Sequence, residues 1–157
     1  MIYVASSWRN EYQRLVVELL RKVCGLMVYD FKNPSGDAGD NGFHWSEIDT
    51  GWQGWDPAAF RGALEHPIAV RGFGKDKAAL DAAAGGLLVQ PCGRSAHLEI
   101  GYLAARGIPT AVWFPAVGGQ VEPELMLRVC DRILIGTEEL VAWGNAQRPD
   151  AEDGVDQ

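Results

Sequence analysis

Leu87-Leu88-Val89-Gln90-Pro91-Cys92-Gly93-Arg94-Ser95-Ala96-His97-Leu98-Glu99-Ile100-Gly101-Tyr102 is the stretch on which the reading of this chain turns. Its opening apolar run, 87–89, has the length and composition of a buried strand. Pro91-Cys92-Gly93 breaks the run, and Ser95 is then placed to cap a helix reaching Arg106, with Gly107 as its stop. A second apolar run, Thr110 to Phe114, follows at once. Strand, tight turn, helix and strand make a βαβ unit, and such sheets bind ligands where strand carboxyl ends meet helix amino ends. Arg94, Ser95 and Glu99 fall at that point. A carboxylate one turn inside a helix, beside an arginine and a serine, is equipped for chemistry on a sugar or a phosphate.

Outward from this unit, strands and helices alternate. Residues 1–5 read as a first strand, Ser6 to Asn10 as a polar loop, and 11–23 as a helix with Leu15, Val16, Leu19, Leu20 and Val23 at helical spacing and Gly25 as its end. Leu26 to Phe31 reads as a second strand. Asn33 to Trp55 is a long loop rich in Gly, Asp and Asn that carries Phe43, His44, Trp45, Trp52 and Trp55. Loops of that length are usually functional or disordered, and so many aromatics argue against plain disorder. Asp56-Pro57 starts a short helix to about Glu65, His66-Pro67 interrupts it, and 76–84 is helical again. Beyond the fourth strand, 123–130 reads as a helix, 132–135 as a fifth strand, and Thr137 as the cap of a last helix ending near Trp143. The pattern predicts one α/β domain over 1–143, a doubly wound, mostly parallel five-stranded sheet of flavodoxin-like or Rossmann-like kind. An acidic, flexible tail is expected over 144–157.

Composition narrows the function classes. With 157 residues, 47% hydrophobic and 22% charged, the chain matches an ordinary globular protein. Its net charge of −7 argues against nucleic acid as a partner, because a phosphate backbone calls for a basic face. No apolar run approaches the ~20 residues of a membrane span, and no secretory signal is visible. Cys24, Cys92 and Cys130 fit neither a disulfide framework nor a zinc spacing, which points to a reducing cytoplasm. No metal site is visible.

These residues resemble the nucleoside 2-deoxyribosyltransferase family and its relatives, the nucleoside 5′-monophosphate N-glycosidases. The likeness lies in the opening strand Ile2-Tyr3-Val4-Ala5, in Leu98-Glu99-Ile100-Gly101-Tyr102-Leu103-Ala104, and in the Gly-x-Pro lead Gly107-Ile108-Pro109. It spans most of 1–143 and leaves the aromatic loop poorly covered. The chain departs from the family pattern at Ala84 and Gly93, where members carry acidic or polar residues, and at Glu124, the nearest match to an asparagine that completes a neighbouring subunit's site. The resemblance implies an N-glycosidic bond as the target, Glu99 as nucleophile with Tyr3 positioning it, no cofactor, and a homo-oligomer. The aromatic loop or 123–130 would supply the oligomer interface.

Each candidate has a plainer alternative. Glu99 would attack the anomeric carbon, with a second group protonating the leaving base; otherwise it is a solvated helix glutamate. Asp76, Asp81 and Asp30 are candidates for that acid, or else surface acids or an N-cap. Gly93, Arg94 and Ser95 suit a 5′-phosphate through backbone N–H groups, a hydroxyl and a guanidinium fork. Otherwise Ser95 is only a cap and Arg94 an ion pair. Ser6, Trp8 and Trp45 are further candidates for substrate contact, the tryptophans by stacking on a base. His97 lies on a different helix face from Glu99 and reads as structural. Cys92 at a helix start is a candidate thiolate, but a phosphatase loop lacks its Arg at Leu98, and Gly93-Arg94-Ser95-Ala96-His97 lacks the last Gly of a nucleophile elbow. A phospho-receiver domain is set aside, because Ser6-Ser7 offer no acidic pair.

The expected function is therefore hydrolysis or 2-deoxyribosyl transfer at a nucleoside or nucleoside 5′-monophosphate. Hydrolysis leads, since nothing in the sequence marks a second-base site that excludes water. The alternatives are a glycohydrolase of NAD-type dinucleotides and a nucleotide-binding module without turnover.

Overall fold

A strand buried on both faces needs a continuous apolar run, and two segments of this chain supply one. Ile2–Ala5 (β1) and Gly85–Val89 (β3) are buried at every residue and pair with each other in parallel. The computed structural model describes residues 1–116 and 121–148. Val28–Asp30 (β2), Thr110–Phe114 (β4) and Arg132–Ile135 (β5) complete an all-parallel sheet of order β2-β1-β3-β4-β5. The expected doubly wound α/β architecture is the one found. Strand order reverses between β1 and β3, so the crevice at their carboxyl ends is the topological switch point.

The chain divides into two compact units, residues 1–30 with the described residues from 83 on, and residues 31–82. In the sheet unit, Gln13–Lys22 (α1) and Gly136–Ala146 (α5) cover one face. Val16, Val17 and Leu20 of α1 and Leu140 and Trp143 of α5 pack there with Ile2, Val4, Leu87, Val89, Trp113 and Leu134. The Trp113 indole donates to the Gly136 carbonyl at 2.7 Å, tying β4 to the start of α5. Arg94–Ala105 (α4) covers the opposite face, seated on Gly86. The unit formed by 31–82 holds Pro57–Leu64 (α2) and Pro67–Ala82 (α3), together with 3₁₀ turns at Trp45–Glu47 and Trp52–Gly54 within the aromatic loop.

Several boundaries differ from the sequence expectation, each for a local reason. Helix α1 starts at Gln13, not Glu11, because the Asn10 side chain accepts the Tyr12 N–H at 2.7 Å and holds the approach in a turn. Strand β2 shortens to the three residues that pair with β1. Helix α3 starts at Pro67 instead of Asp76 and runs through Gly72. A Cβ at Gly72 would stand 2.7 Å from Cβ of Phe43, so the glycine is there for packing. Helix α4 is capped by Gly93 and not by Ser95, and Gly107 (φ +72°) stops it as expected. The 123–130 segment forms only a 3₁₀ turn, Leu125–Val129, with the Glu124 carboxylate accepting the Met126 N–H. Helix α5 reaches Ala146, past Trp143, and its start is secured by the Glu139 carboxylate accepting the Ile135 N–H in place of a Thr137 cap. Of the expected flexible tail, Gly144–Ala146 is thus helical and 149–157 lies outside the described residues.

Gly86 fixes how closely α4 approaches the sheet. A Cβ there would stand 2.6 Å from Leu103 Cδ1, 3.0 Å from Ile100 Cδ1 and 3.3 Å from Thr110 Cγ2, all buried atoms with little room to give. Gly86→Ala is expected to cost about 1–3 kcal/mol of stability by overpacking. This reads as a lower urea midpoint at unchanged slope; an unmoved midpoint would contradict the close seat of α4.

Candidate functional site

The carboxyl ends of β1 and β3 lead into two backbone segments, the loop 6–12 before α1 and the turn 90–93 before α4. Gly93 caps α4 in an extended conformation with no side-chain hydrogen bond, so the first-turn N–H groups receive nothing from a cap side chain. An ideal Cβ on Gly93 would lie 3.9 Å from Ser7 Cβ, which brings the loop alongside the helix start. Arg94 and Ser95 follow as the first two helical residues, both exposed. Their side chains form no hydrogen bond or ion pair among the described residues. Glu99 lies one turn further along α4, half-buried.

Cys92 and Glu99 are electrostatic neighbours. Burial pushes the Cys92 thiol up to about 11, and the Glu99 charge pushes it the same way. At neutral pH the sulfur is a thiol, which removes the thiolate expected of a helix-terminal cysteine. Its neighbour His97 has Nδ1 at 3.6 Å from Sγ and at 2.9 Å from the Gly93 carbonyl. That oxygen can only accept, so Nδ1 carries the proton and His97 braces the first turn of α4.

The remaining expected residues divide between the two units. Tyr3 is wholly buried on β1, on the sheet face that α4 covers, with its ring stacked on Tyr29 at 5.2 Å. Ser6 is buried as well, and its hydroxyl donates to the Val89 carbonyl at 3.2 Å, a brace between β1 and β3. Trp8 is partly exposed in the same loop. Asp30, at the end of β2, accepts from the Gln13 side-chain nitrogen at 2.6 Å. Asp76 and Asp81 lie on α3 in the 31–82 unit, and Lys77 Nζ contacts both Asp81 oxygens at 2.6 and 2.7 Å, an i,i+4 surface pair. Trp45 sits in an edge-to-face ring cluster with Phe43, Trp55 and Phe60 at 4.8–5.8 Å, which makes it part of that unit's apolar packing.

Two residues at this end of the sheet unit escape sequence reasoning. Asn10 is buried and bonds to Val89 and Pro91, and Gln13 is fully buried against Asp30. An Asn just before a helix is a recognisable turn signal; nothing local marks Gln13. A separate groove of about 620 Å³ opens where β4 and β5 begin, lined by Pro109, Thr110, Asp131, Arg132, Trp143 and Gln147 among others. None of the expected site residues lines it. Among the described residues no cluster of His, Cys, Asp or Glu could hold a metal ion, and no helix is long and apolar enough to cross a membrane.

The pairing of Cys92 with Glu99 has a direct readout. Alkylation of Cys92, followed by peptide mass spectrometry, is expected to show a pH midpoint of about 11. Glu99→Gln removes a nearby negative charge that favours the neutral thiol, so the midpoint should fall. A midpoint that does not move would put the carboxylate beyond Coulombic reach of the sulfur. No protein-family model matches the chain, and no curated protein matches it in sequence.

Proposed function

We propose that this protein cleaves the N-glycosidic bond of a nucleoside 5′-monophosphate or nucleoside, with Glu99 as the nucleophile. The observation that carries the reading is the placement of Glu99 one turn inside α4 at the β1/β3 switch point, behind a helix start that Gly93 leaves without a side-chain cap. The Arg94 guanidinium, the Ser95 hydroxyl and the first-turn N–H groups together suit a dianionic phosphate. The resemblance to nucleoside 2-deoxyribosyltransferases supplies the reaction class. The neutral Cys92 thiol leaves the carboxylate as the nucleophile of the pair.

In the first step a Glu99 oxygen bonds to C1′ of the sugar, the C1′–N bond breaks, and its electron pair leaves with the base, which takes a proton from an acid. In the second, water attacks C1′ and releases Glu99, giving the free sugar with retained configuration. A second base in place of water would make the reaction a transfer. Asp30, in the same unit as Glu99, is the candidate carried forward for the acid; Asp76 and Asp81 belong to the 31–82 unit, where Asp81 is held by Lys77 as a surface ion pair. Tyr3, buried on the sheet face beneath α4, would help position Glu99, as the resemblance implies.

The test is chromatographic detection of released base from a panel of nucleosides, nucleoside monophosphates and NAD. Wild type is expected to release base from monophosphates. Glu99→Ala should lower kcat by at least about 10³-fold, as loss of a covalent nucleophile does. Arg94→Ala should raise KM for monophosphates more than for nucleosides. Nicotinamide release from NAD alone would select the dinucleotide reading, and binding without turnover the regulatory one.

The reading includes a homo-oligomer. The Leu125–Val129 turn exposes Leu125 (80%) and Met126 (65%), and the edge strand β5 exposes Ile133 and Ile135, an apolar surface of the kind that subunits cover. Light scattering is expected to give a mass that is a multiple of 17.1 kDa. Met126→Glu should reduce it, and a monomeric wild type would refute this part of the reading.

A further inference from the structure

One side chain joins the two segments that form the crevice. Asn10 is only 4% exposed, in the loop between β1 and α1. Its Nδ2 donates to the Val89 carbonyl at 3.0 Å and to the Pro91 carbonyl at 2.9 Å, 79 and 81 residues away in sequence. Its Oδ1 accepts the Tyr12 N–H at 2.7 Å. Both amide hydrogens and the oxygen are therefore engaged, and no other residue type offers two donors and one acceptor on so short an arm. The two bonds do different work. Val89 O also accepts from the Ser6 hydroxyl and keeps a partner without Asn10. Pro91 O has no second such bond among the described residues, and it stands two residues before Gly93, where α4 begins.

We propose that Asn10 is the positioning residue of this site: it pins the 90–93 turn to the β1–α1 loop, and so sets the α4 start and the Glu99 carboxylate relative to bound substrate. The proposal rests on the reading of Glu99 as nucleophile. Asn10 acts through backbone: its side chain bonds the Val89 and Pro91 carbonyls and the Tyr12 N–H. It acts by geometry, where a shift of about 1 Å can cost about 10²-fold in rate.

Two variants separate positioning from mere support. Asn10→Ala leaves the Pro91 carbonyl without its donor; kcat for base release should fall about 10- to 100-fold with KM within about threefold. Asn10→Asp keeps the shape and the Tyr12 acceptor but faces two carbonyl oxygens with a carboxylate. The charged form is disfavoured there, so the carboxyl pKa rises, and the protonated form regains one O–H donor as pH falls. Its kcat relative to wild type should therefore climb toward low pH, while the Asn10→Ala ratio stays flat. Hydrogen exchange without substrate supplies a readout independent of activity: amides of 90–97 should exchange faster in Asn10→Ala, with those of 136–146 unchanged. Unaltered kcat in folded Asn10→Ala, parallel pH profiles for the two variants, or exchange that accelerates uniformly over both segments would each overturn the proposal. If wild type releases no base from any substrate, the glycosidase reading fails. The exchange pattern then decides by itself whether Asn10 pins the turn: local acceleration upholds the pin, and uniform or absent acceleration rejects it.

Discussion

The close approach of α4 to the sheet at Gly86 governs the arrangement around it. Gly86 stands in register between Tyr3 of β1 and Thr110 of β4, and the side chain it lacks is the space that Leu103 and Ile100 occupy. With the second half of the helix seated there, the rest has little freedom. From Leu103 back to Gly93 the helix covers about 15 Å, which carries its amino end to the carboxyl edge of β3. The polar groups then meet at the switch point because apolar contacts elsewhere have already placed the helix. A substitution at Gly86 would act on Glu99 through the helix, without touching it.

The strands were legible because parallel central strands are apolar almost throughout, and 2–5, 85–89 and 111–114 are. The helix of Glu99 was legible for a similar reason, between a turn of Pro91 and Gly93 and a stop at Gly107. What the sequence hid depended on contacts across the chain. The stretch 67–75 did not read as helix, and its Gly72 packs against Phe43, a contact no local window contains. Thr137 looks like the cap of α5, but the cap comes from Glu139 reaching back to Ile135. Ser95 looks like the cap of α4, and Gly93 takes that place without a side chain. Asn10 and Gln13 passed as loop and helix residues because their roles are set by Val89, Pro91 and Asp30, partners no local window contains.

Environment also separates the three acids that sequence alone could not rank. Asp81 is engaged through both oxygens by Lys77, an exposed pair of the sort that stabilises a helix by a few tenths of a kcal/mol. Asp30 instead receives an N–H from a glutamine that is wholly buried. Fixing a fully buried amide against one carboxylate oxygen orients the other, which is a stronger constraint than a solvated lysine imposes. Asp76 is half-buried on α3. Under the proposed reading, the buried amide beside Asp30 suits it better than the exposed Asp81 to exchanging a proton away from bulk water.

Two nucleophilic side chains share the start of α4, and electrostatics assigns them different states. Glu99 acts on Cys92 as a negative charge. Once present, that charge adds to the burial of Cys92 and holds the sulfur protonated. An uncapped helix start favours anions through its N–H groups, and Gly93 keeps it clear of a competing side chain. The sequence that looked deficient for lacking a polar residue at Gly93 therefore leaves the first-turn N–H groups of α4 free of a cap side chain, with the Glu99 carboxyl one turn behind them.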